Sequence, residues 1–275
     1  MSAPDQKSAG GPLASILALP NDNPKKTIFM ALAVCLSCSI VVASAAVGLR
    51  PLQVANQEAD RIRNIVEVSG LAQPGSDIMA AFSQIEARVI RLSDGTVADD
   101  LDAASFDIER ASKDPSMSRA LSRGEDLANI KRQPEHMPVY IVRDDAGAVK
   151  TLILPVHGAG LWSTLYGFLA IEGDFKTTQG LKFYQHAETP GLGGEVDNPN
   201  WRSLWRGKVV YDAQWQPRIE LAKGSVDASD PNAIHKVDGL AGATLTTRGV
   251  ENLINFWLGD QGYGPLIARL RAERG

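Results

Sequence analysis

Cysteine is almost missing from this 275-residue chain: there are two, Cys35 and Cys38, both inside one uncharged run near the N-terminus. The rest of the chain can therefore hold neither a disulfide nor a thiolate-ligated cluster of its own. Histidine is also scarce. His136, His157, His186 and His235 sit in separate segments, without the spacing of a zinc helix or a hydrolase triad, so metal or hydrolase chemistry is not indicated. There is no excess of positive charge, because the formal net charge is -4, and no general electrostatic case for nucleic acid follows. The sequence also lacks an internal repeat and a dinucleotide fingerprint.

What is present is apolar residue in ordinary proportion, 44% hydrophobic against 22% charged, which suits a folded chain of one large domain with appendages. The apolar residues are most concentrated in "TIFMALAVCLSCSIVVASAAVGL", Thr27 to Leu49, bracketed by Lys26 and Arg50. About 23 residues rising 1.5 Å each would cross a hydrocarbon core of roughly 30 Å. The segment predicts a membrane anchor. A cleaved signal peptide is the alternative, with "ASA" at Ala43 to Ala45 as its small-residue site. The run exceeds a usual signal core, however, and "PLQVANQEADRIRNIVEV" can continue it helically. Lys7, Lys25 and Lys26 before the run nearly balance Arg50, Arg61 and Arg63 after it, so charge alone does not orient it. Cys35 and Cys38 lie one turn apart on one face. They could present thiolates to a metal shared with another subunit, although small polarizable residues against neighbouring helices are the plainer reading.

Composition divides the chain into a tail (1–24), a transmembrane helix (25–50), a helix-rich scaffold region (51–135) and a strand-rich region (136–275). From Gln53 to about Arg132 acidic and basic residues interleave, with breaks at "QPGSD", "LSDG" and "KDPS". After Pro138, "VYIVRD", "VKTLILPV", "LWSTLYGFLAI", "GKVVYDAQW" and "RIELAKGSV" are short β-branched and aromatic runs between turns. The expected fold is α+β, a mostly antiparallel sheet flanked by helices, with one N-terminal transmembrane helix.

Three segments invite a functional reading. "HGAGLWSTLYGFLAIEGD" sets small residues before Trp162 and Tyr166, an approach for a planar ligand or simply a strand entry. "HAETPGLGGEVDNPNW" is too long for a hairpin turn; Glu188 and Glu195 in it could form an acid/base pair or be merely solvated. In "DGLAGATLTTRGV", Gly242, Ala243 and Thr244 precede the helical pattern Val250, Leu253, Ile254, Trp257, Leu258. Thr246 or Thr247 can cap that helix, Gly259 with Gly262 can end it, and another helix is expected from Pro265 to Arg274. Free N–H groups at the helix start favour an anion such as phosphate, to which the Thr244 hydroxyl could hydrogen-bond or be esterified; Thr244 as a simple cap would look the same.

Taken in order behind one membrane helix, "GLWSTLYGFLAI", "ETPGLGGEVDNPNW" and "DGLAGATLTTRGV" resemble the C-subunit of the bacterial Na+-translocating NADH:quinone reductase, over about half the chain. In that family, and in the related G-subunit of the electron-transport complex, the last threonine of Asp-x-x-Ser/Thr-Gly-Ala-Thr carries FMN through a phosphoester. The resemblance implies attachment at Thr244, with Asp238 opening the motif and Gly242 and Ala243 completing it; Ala241 stands where the family has Ser or Thr. It also implies a periplasmic α+β flavin domain on the inner membrane, with the N-terminus cytoplasmic. Glu188, Thr189 and Leu192 are the expected ring contacts, followed by Trp162, Ser163 and Thr164. Implied partners are the other subunits, above all the FMN-carrying B-subunit, and a flavin transferase using FAD as donor. The implied role is a relay from a membrane iron centre to the B-subunit, in a complex coupling quinone reduction to Na+ export. The other readings are the flavin subunit of the related ion-translocating complex, or a membrane-tethered binding or scaffold protein without flavin.

Overall fold

The computed structural model describes residues 12–72, 75 and 77–274. The tail up to residue 11, including Lys7, and most of "QPGSD" lie outside the described residues. The chain divides into two compact units, Met1–Ala59 and Asp60–Gly275.

The first unit holds a short helix α1 (Pro12–Leu17) and most of α2, which runs 45 residues from Pro24 to Val68. Helix α2 contains the whole apolar run and, as "PLQVANQEADRIRNIVEV" suggests, continues past Pro51. Ile28, Leu32, Leu36 and Val41 are all exposed along it. A length of apolar helix with bare side chains has the form of a membrane span.

In the second unit the elements after α2 are α3 (Ile78–Phe82), β1 (Ile85–Arg91), α4 (Ile108–Lys113), β2 (Ser118–Ala120), β3 (Arg132–Pro134), β4 (His136–Arg143), β5 (Val149–Ala159), β6 (Thr164–Glu172) and β7 (Thr178–Gln185). There follow a 3-10 turn (Gly193–Asp197), α5 (Pro199–Ser203), β8 (Glu220–Ala222), β9 (Lys236–Asp238), α6 (Thr244–Leu258) and α7 (Gly264–Arg274). The principal sheet is antiparallel throughout, in the order β1-β4-β5-β6-β7. The expected α+β class is observed.

Alternation along the strands sends side chains to two cores, because successive residues of a strand face opposite ways. Leu165, Leu169 and Ile171 of β6 join Leu152 and Leu154 of β5 under Val250, Leu253, Ile254 and Trp257 of α6. Phe168 and Ala170 pack on the other face with Ile153, Tyr140 and the end of α2, at Ile62, Ile65 and Val66. Two buried polar tips fix α6 and its successor to β5: the Trp257 indole donates to the His157 carbonyl and the Tyr263 hydroxyl to the Pro155 carbonyl, each at 2.6 Å.

Three expectations are corrected. The helical character assigned to residues 53–132 stops at Val68 apart from the short α3 and α4, and β1 pairs along its length with β4. The sheet thus crosses the compositional boundary at 135/136. The interleaved charges that suggested helix are a strand's outer side chains, with Glu86 bonded to Arg88 at 2.7 Å and Arg143 at 2.8 Å. "GKVVYDAQW" forms only isolated bridges, and of "RIELAKGSV" only Glu220–Ala222 is strand, paired in parallel with β9. Val210, Tyr211 and Ile219 are nonetheless buried in the α6-side core, so their β-favouring side chains serve burial without ladder pairing. The fifth strand of the sheet is instead β7, whose Gln, Gly and Lys gave a weak strand pattern.

Candidate functional site

The three segments singled out in sequence meet in space. Helix α6 packs on β5, and a Cβ at Gly249 would run into the Ala159 carbonyl. That close approach brings the first turn of α6 to the β5–β6 turn, residues 159–164. The loop after β7 closes the third side.

Glu188 ties the segments together. It is 5% exposed. Its Oε2 accepts the Thr246 hydroxyl of α6 at 2.6 Å, and its Oε1 accepts the Trp162 N–H at 2.9 Å and the Ser163 N–H at 3.4 Å. Burial pushes the carboxyl pKa up, but the Thr246 hydroxyl and the N–H groups of Trp162, Leu161 and Ser163 outweigh burial and hold it below the usual glutamate value. Gly193 leaves room for the arrangement: a Cβ there would stand 2.5 Å from Thr246 Oγ1 and 2.7 Å from Glu188 Oε2. Ser163 adds another tie, its Oγ accepting the Ala187 N–H at 2.7 Å.

Helix α6 begins at Thr244, with Ala243 as its N-cap and no capping side chain. The expected caps act elsewhere: Thr246 bonds Glu188, and Thr247 Oγ1 accepts the Leu240 N–H at 3.0 Å. The first intrahelical bond is from Thr247 N–H to the Ala243 carbonyl at 2.9 Å. The N–H groups of Thr244, Leu245 and Thr246 therefore have no acceptor within the helix, which leaves a site for an anion. Thr244 is exposed. Gly242 has φ +70°, which a side chain would strain, and its added Cβ would lie 3.0 Å from Leu192 Cδ2.

Around this start the surface is apolar. Leu161 is 46% exposed, Trp162 69%, Leu192 44% and Leu245 55%. Burying such side chains against a ring is worth about 25 cal/mol per Å², so the cluster favours a flat apolar ligand beside an anion site.

The predicted residues thus fall into two groups. Trp162, Leu192, Gly242, Ala243 and Thr244 lie at or beside the helix start, with Thr189 exposed in the same loop and Thr164 half-buried where β6 begins. Glu188 and Ser163 instead spend their side-chain oxygens on the protein. Asp238 is likewise engaged, its Oδ1 accepting the Val226 N–H at 2.8 Å. Glu195 accepts the Asn198 amide at 2.6 Å, while both Glu188 oxygens are taken up by Thr246 and the 162–163 turn. Sequence reasoning missed Leu161 and Leu245, which adjoin motif residues, and the Thr246–Glu188 bond.

The FMN-binding domain family model matches residues 160–259, the stretch that contains all three segments and α6. The C-subunit of the Na(+)-translocating NADH-quinone reductase from Pseudomonas aeruginosa is 51% identical over 254 residues, covering 91% of this chain and 97% of the relative. That from Yersinia pestis is 46% identical over 255 residues, covering 91% and 94%. The chain belongs to the C-subunit family of the Na(+)-translocating NADH-quinone reductases. A crystal structure of Shewanella oneidensis NqrC superposes with TM-score 0.73 at 34% identity, covering 79% of this chain and 99% of that one. The C-subunit of the reductase from Parabacteroides distasonis gives 0.61 at 25% identity, covering 80% and 96%. The chain is accordingly a flavoprotein subunit of a sodium-transporting oxidoreductase complex, with FMN as cofactor and α2 suited to anchor it in the membrane. The exposed hydroxyl, the uncapped helix start and the apolar collar fit that cofactor's phosphate and ring.

Proposed function

We propose that Thr244 carries FMN through a phosphoester and that the chain relays electrons from a membrane iron centre toward the FMN of the B-subunit. The observation that carries this reading is an exposed Thr244 at the first position of an uncapped helix, with the exposed apolar side chains of Leu161, Trp162, Leu192 and Leu245 in the segments that meet there. The N–H groups of the first turn would hold the phosphoryl oxygens. Leu161, Trp162, Leu192 and Leu245 would hold the ring, together with Thr189 and Thr164. Glu188 and Ser163, whose side-chain oxygens are bonded within the protein, would act by holding the segments that carry these residues. Asp238 and Ala243 set the path of the chain into Thr244.

When bound, FMN supplies one- and two-electron redox chemistry; the chain supplies its orientation and surroundings. A phosphoester prevents loss by diffusion from so shallow a site while leaving the ring exposed to a neighbouring centre. Loading takes a flavin transferase with FAD as donor: the Thr244 Oγ–P bond forms as the bond to AMP breaks, and the hydroxyl proton is released. Ala241 stands where the family has Ser or Thr and leaves the acceptor hydroxyl of Thr244 itself in place. The flavin domain lies on the periplasmic side of the inner membrane, and the complex couples quinone reduction to Na+ export.

The test is a denaturing gel of the protein from its native host, inspected for flavin fluorescence. The wild-type band should fluoresce and a Thr244→Ala band should be dark. A dark wild-type band in the presence of the transferase refutes covalent attachment, and a fluorescent Thr244→Ala band moves the acceptor to another residue.

A further inference from the structure

The loop that carries Glu188, Thr189 and Leu192 is closed by a side chain outside the cofactor motif. His186 follows β7, with its side chain 11% exposed, and its Nε2 lies 2.8 Å from Asp197 Oδ2 at the end of the 3-10 turn Gly193–Asp197. Its other nitrogen, Nδ1, lies 3.2 Å from the Glu188 backbone nitrogen. A backbone N–H can only donate, so Nδ1 accepts, and the ring proton is on Nε2, donated to Asp197.

We propose that His186 is the positioning residue of the FMN site: through its two nitrogens it fixes both ends of the loop that shapes the ring pocket. The inference rests on the reading that this loop contacts the flavin ring. The first bond sets the backbone at Glu188, whose carboxylate then reaches both Thr246 and the N–H of Trp162. The second ties residue 186 to residue 197 and removes the freedom of the segment between them, which contains Leu192. Val196 and Trp201 are buried and anchor the far end of the loop, so the bond narrows the conformations left to the residues between 188 and 196. A ring pocket needs its walls held to about half an ångström. Neither partner of His186 belongs to the ring collar, so the imidazole acts only through the loop.

The bonds can be separated by substitution. In His186→Asn the side-chain oxygen can still accept the Glu188 N–H two residues on, as in an Asx turn, but cannot reach Asp197. His186→Gln reaches outward toward Asp197 and gives up the inner bond. His186→Leu removes both, and Asp197→Ala removes only the outer one. The experiment uses the full-length flavin-loaded protein in detergent and reads three quantities: the visible circular dichroism of the flavin, its midpoint potential and the thermal unfolding temperature.

His186→Leu should lose roughly half or more of the flavin dichroism and shift the potential, because the pocket walls are no longer fixed. His186→Asn and His186→Gln should each restore part of both, and Asp197→Ala should resemble Asn. Native dichroism and potential in His186→Leu, with only a lower unfolding temperature, would make the histidine a purely structural residue and overturn the proposal. If Leu fails to fold, the Asn and Gln pair decides: identical, native flavin spectra in both overturn it equally. Failure of the attachment reading shows separately, as a missing flavin mass on wild-type Thr244. The dichroism of a dissociable flavin then still reports on the clasp, and a wild-type protein that binds no flavin at all overturns both.

Discussion

Replacing Glu188 should disconnect the three segments of the site, and the size of the effect follows from what its carboxylate holds. Glu188→Ala removes the acceptor of the Thr246 hydroxyl and of the Trp162 and Ser163 N–H groups. A buried donor left without a partner costs about 1–3 kcal/mol. Thr246 is fully buried, whereas the turn at 162–163 can recover part of its loss from water, so the total should be about 3–5 kcal/mol. For a domain of this size that corresponds to roughly 6–20 °C in unfolding temperature. Glu188→Gln keeps one acceptor oxygen but turns an NH2 group toward donors, and should lose about half as much. The sign of the pH dependence follows from the lowered carboxyl pKa. Stability from Glu188 is fully present above the ordinary glutamate value and is lost as pH falls through the lower folded value, where the unfolded chain binds the proton more readily. The gap between wild type and Glu188→Gln should therefore be widest at neutral pH and narrow in acid. Thermal unfolding of the flavin-free protein across pH measures both effects. A Glu188→Ala protein within about 2 °C of wild type at neutral pH would refute the reasoning.

Gly242→Ala should cost about 1–2 kcal/mol for a side chain in the left-handed region. It should also press on Leu192, so flavin loading in the presence of the transferase is expected to fall more than thermal stability does; unchanged loading would count against the close approach of Leu192. His157 is 3% exposed and its pKa is pushed down to about 4 by burial. The unfolded chain takes up that proton from about pH 6.5 downward, so stability should decline from there toward 4, by a few kcal/mol at most. His157→Phe keeps the stack on Tyr166, whose ring lies 5.5 Å away. Its unfolding temperature should fall less steeply over the same range, and equal slopes would show that His157 is not the titrating group.

Sequence was most legible where one periodicity had no competitor. The α6 pattern from Val250 to Leu258 and the uncharged run of α2 are observed as helix, and β4, β5 and β6 occupy three of the β-rich runs. Strand β1 was obscured because Glu86, Arg88 and Arg91 mimic a charged helix face until the partner β4 is known. At 207–226 the opposite occurred: Val210, Tyr211 and Ile219 favour strand but cover the core without a neighbouring strand to pair with. The motif pointed to Thr244, Gly242 and Leu192, which the structure brings together at the start of α6. It could not distinguish a carboxylate that meets a ligand from one that meets the protein, and Glu188 is the latter. That distinction depends on Thr246, 58 residues away in the chain, a separation that no local pattern encodes.

The central claim concerns one oxygen atom. Trypsin should release Val237 to Arg248 as a peptide containing Thr244, Thr246 and Thr247, and fragmentation by mass spectrometry assigns any added mass to one of the three. The expected result is the mass of FMN less one water on Thr244 alone, because Thr246 and Thr247 are buried and bonded within the protein. An unmodified peptide from protein matured with the transferase, or the added mass on another residue, would contradict the account.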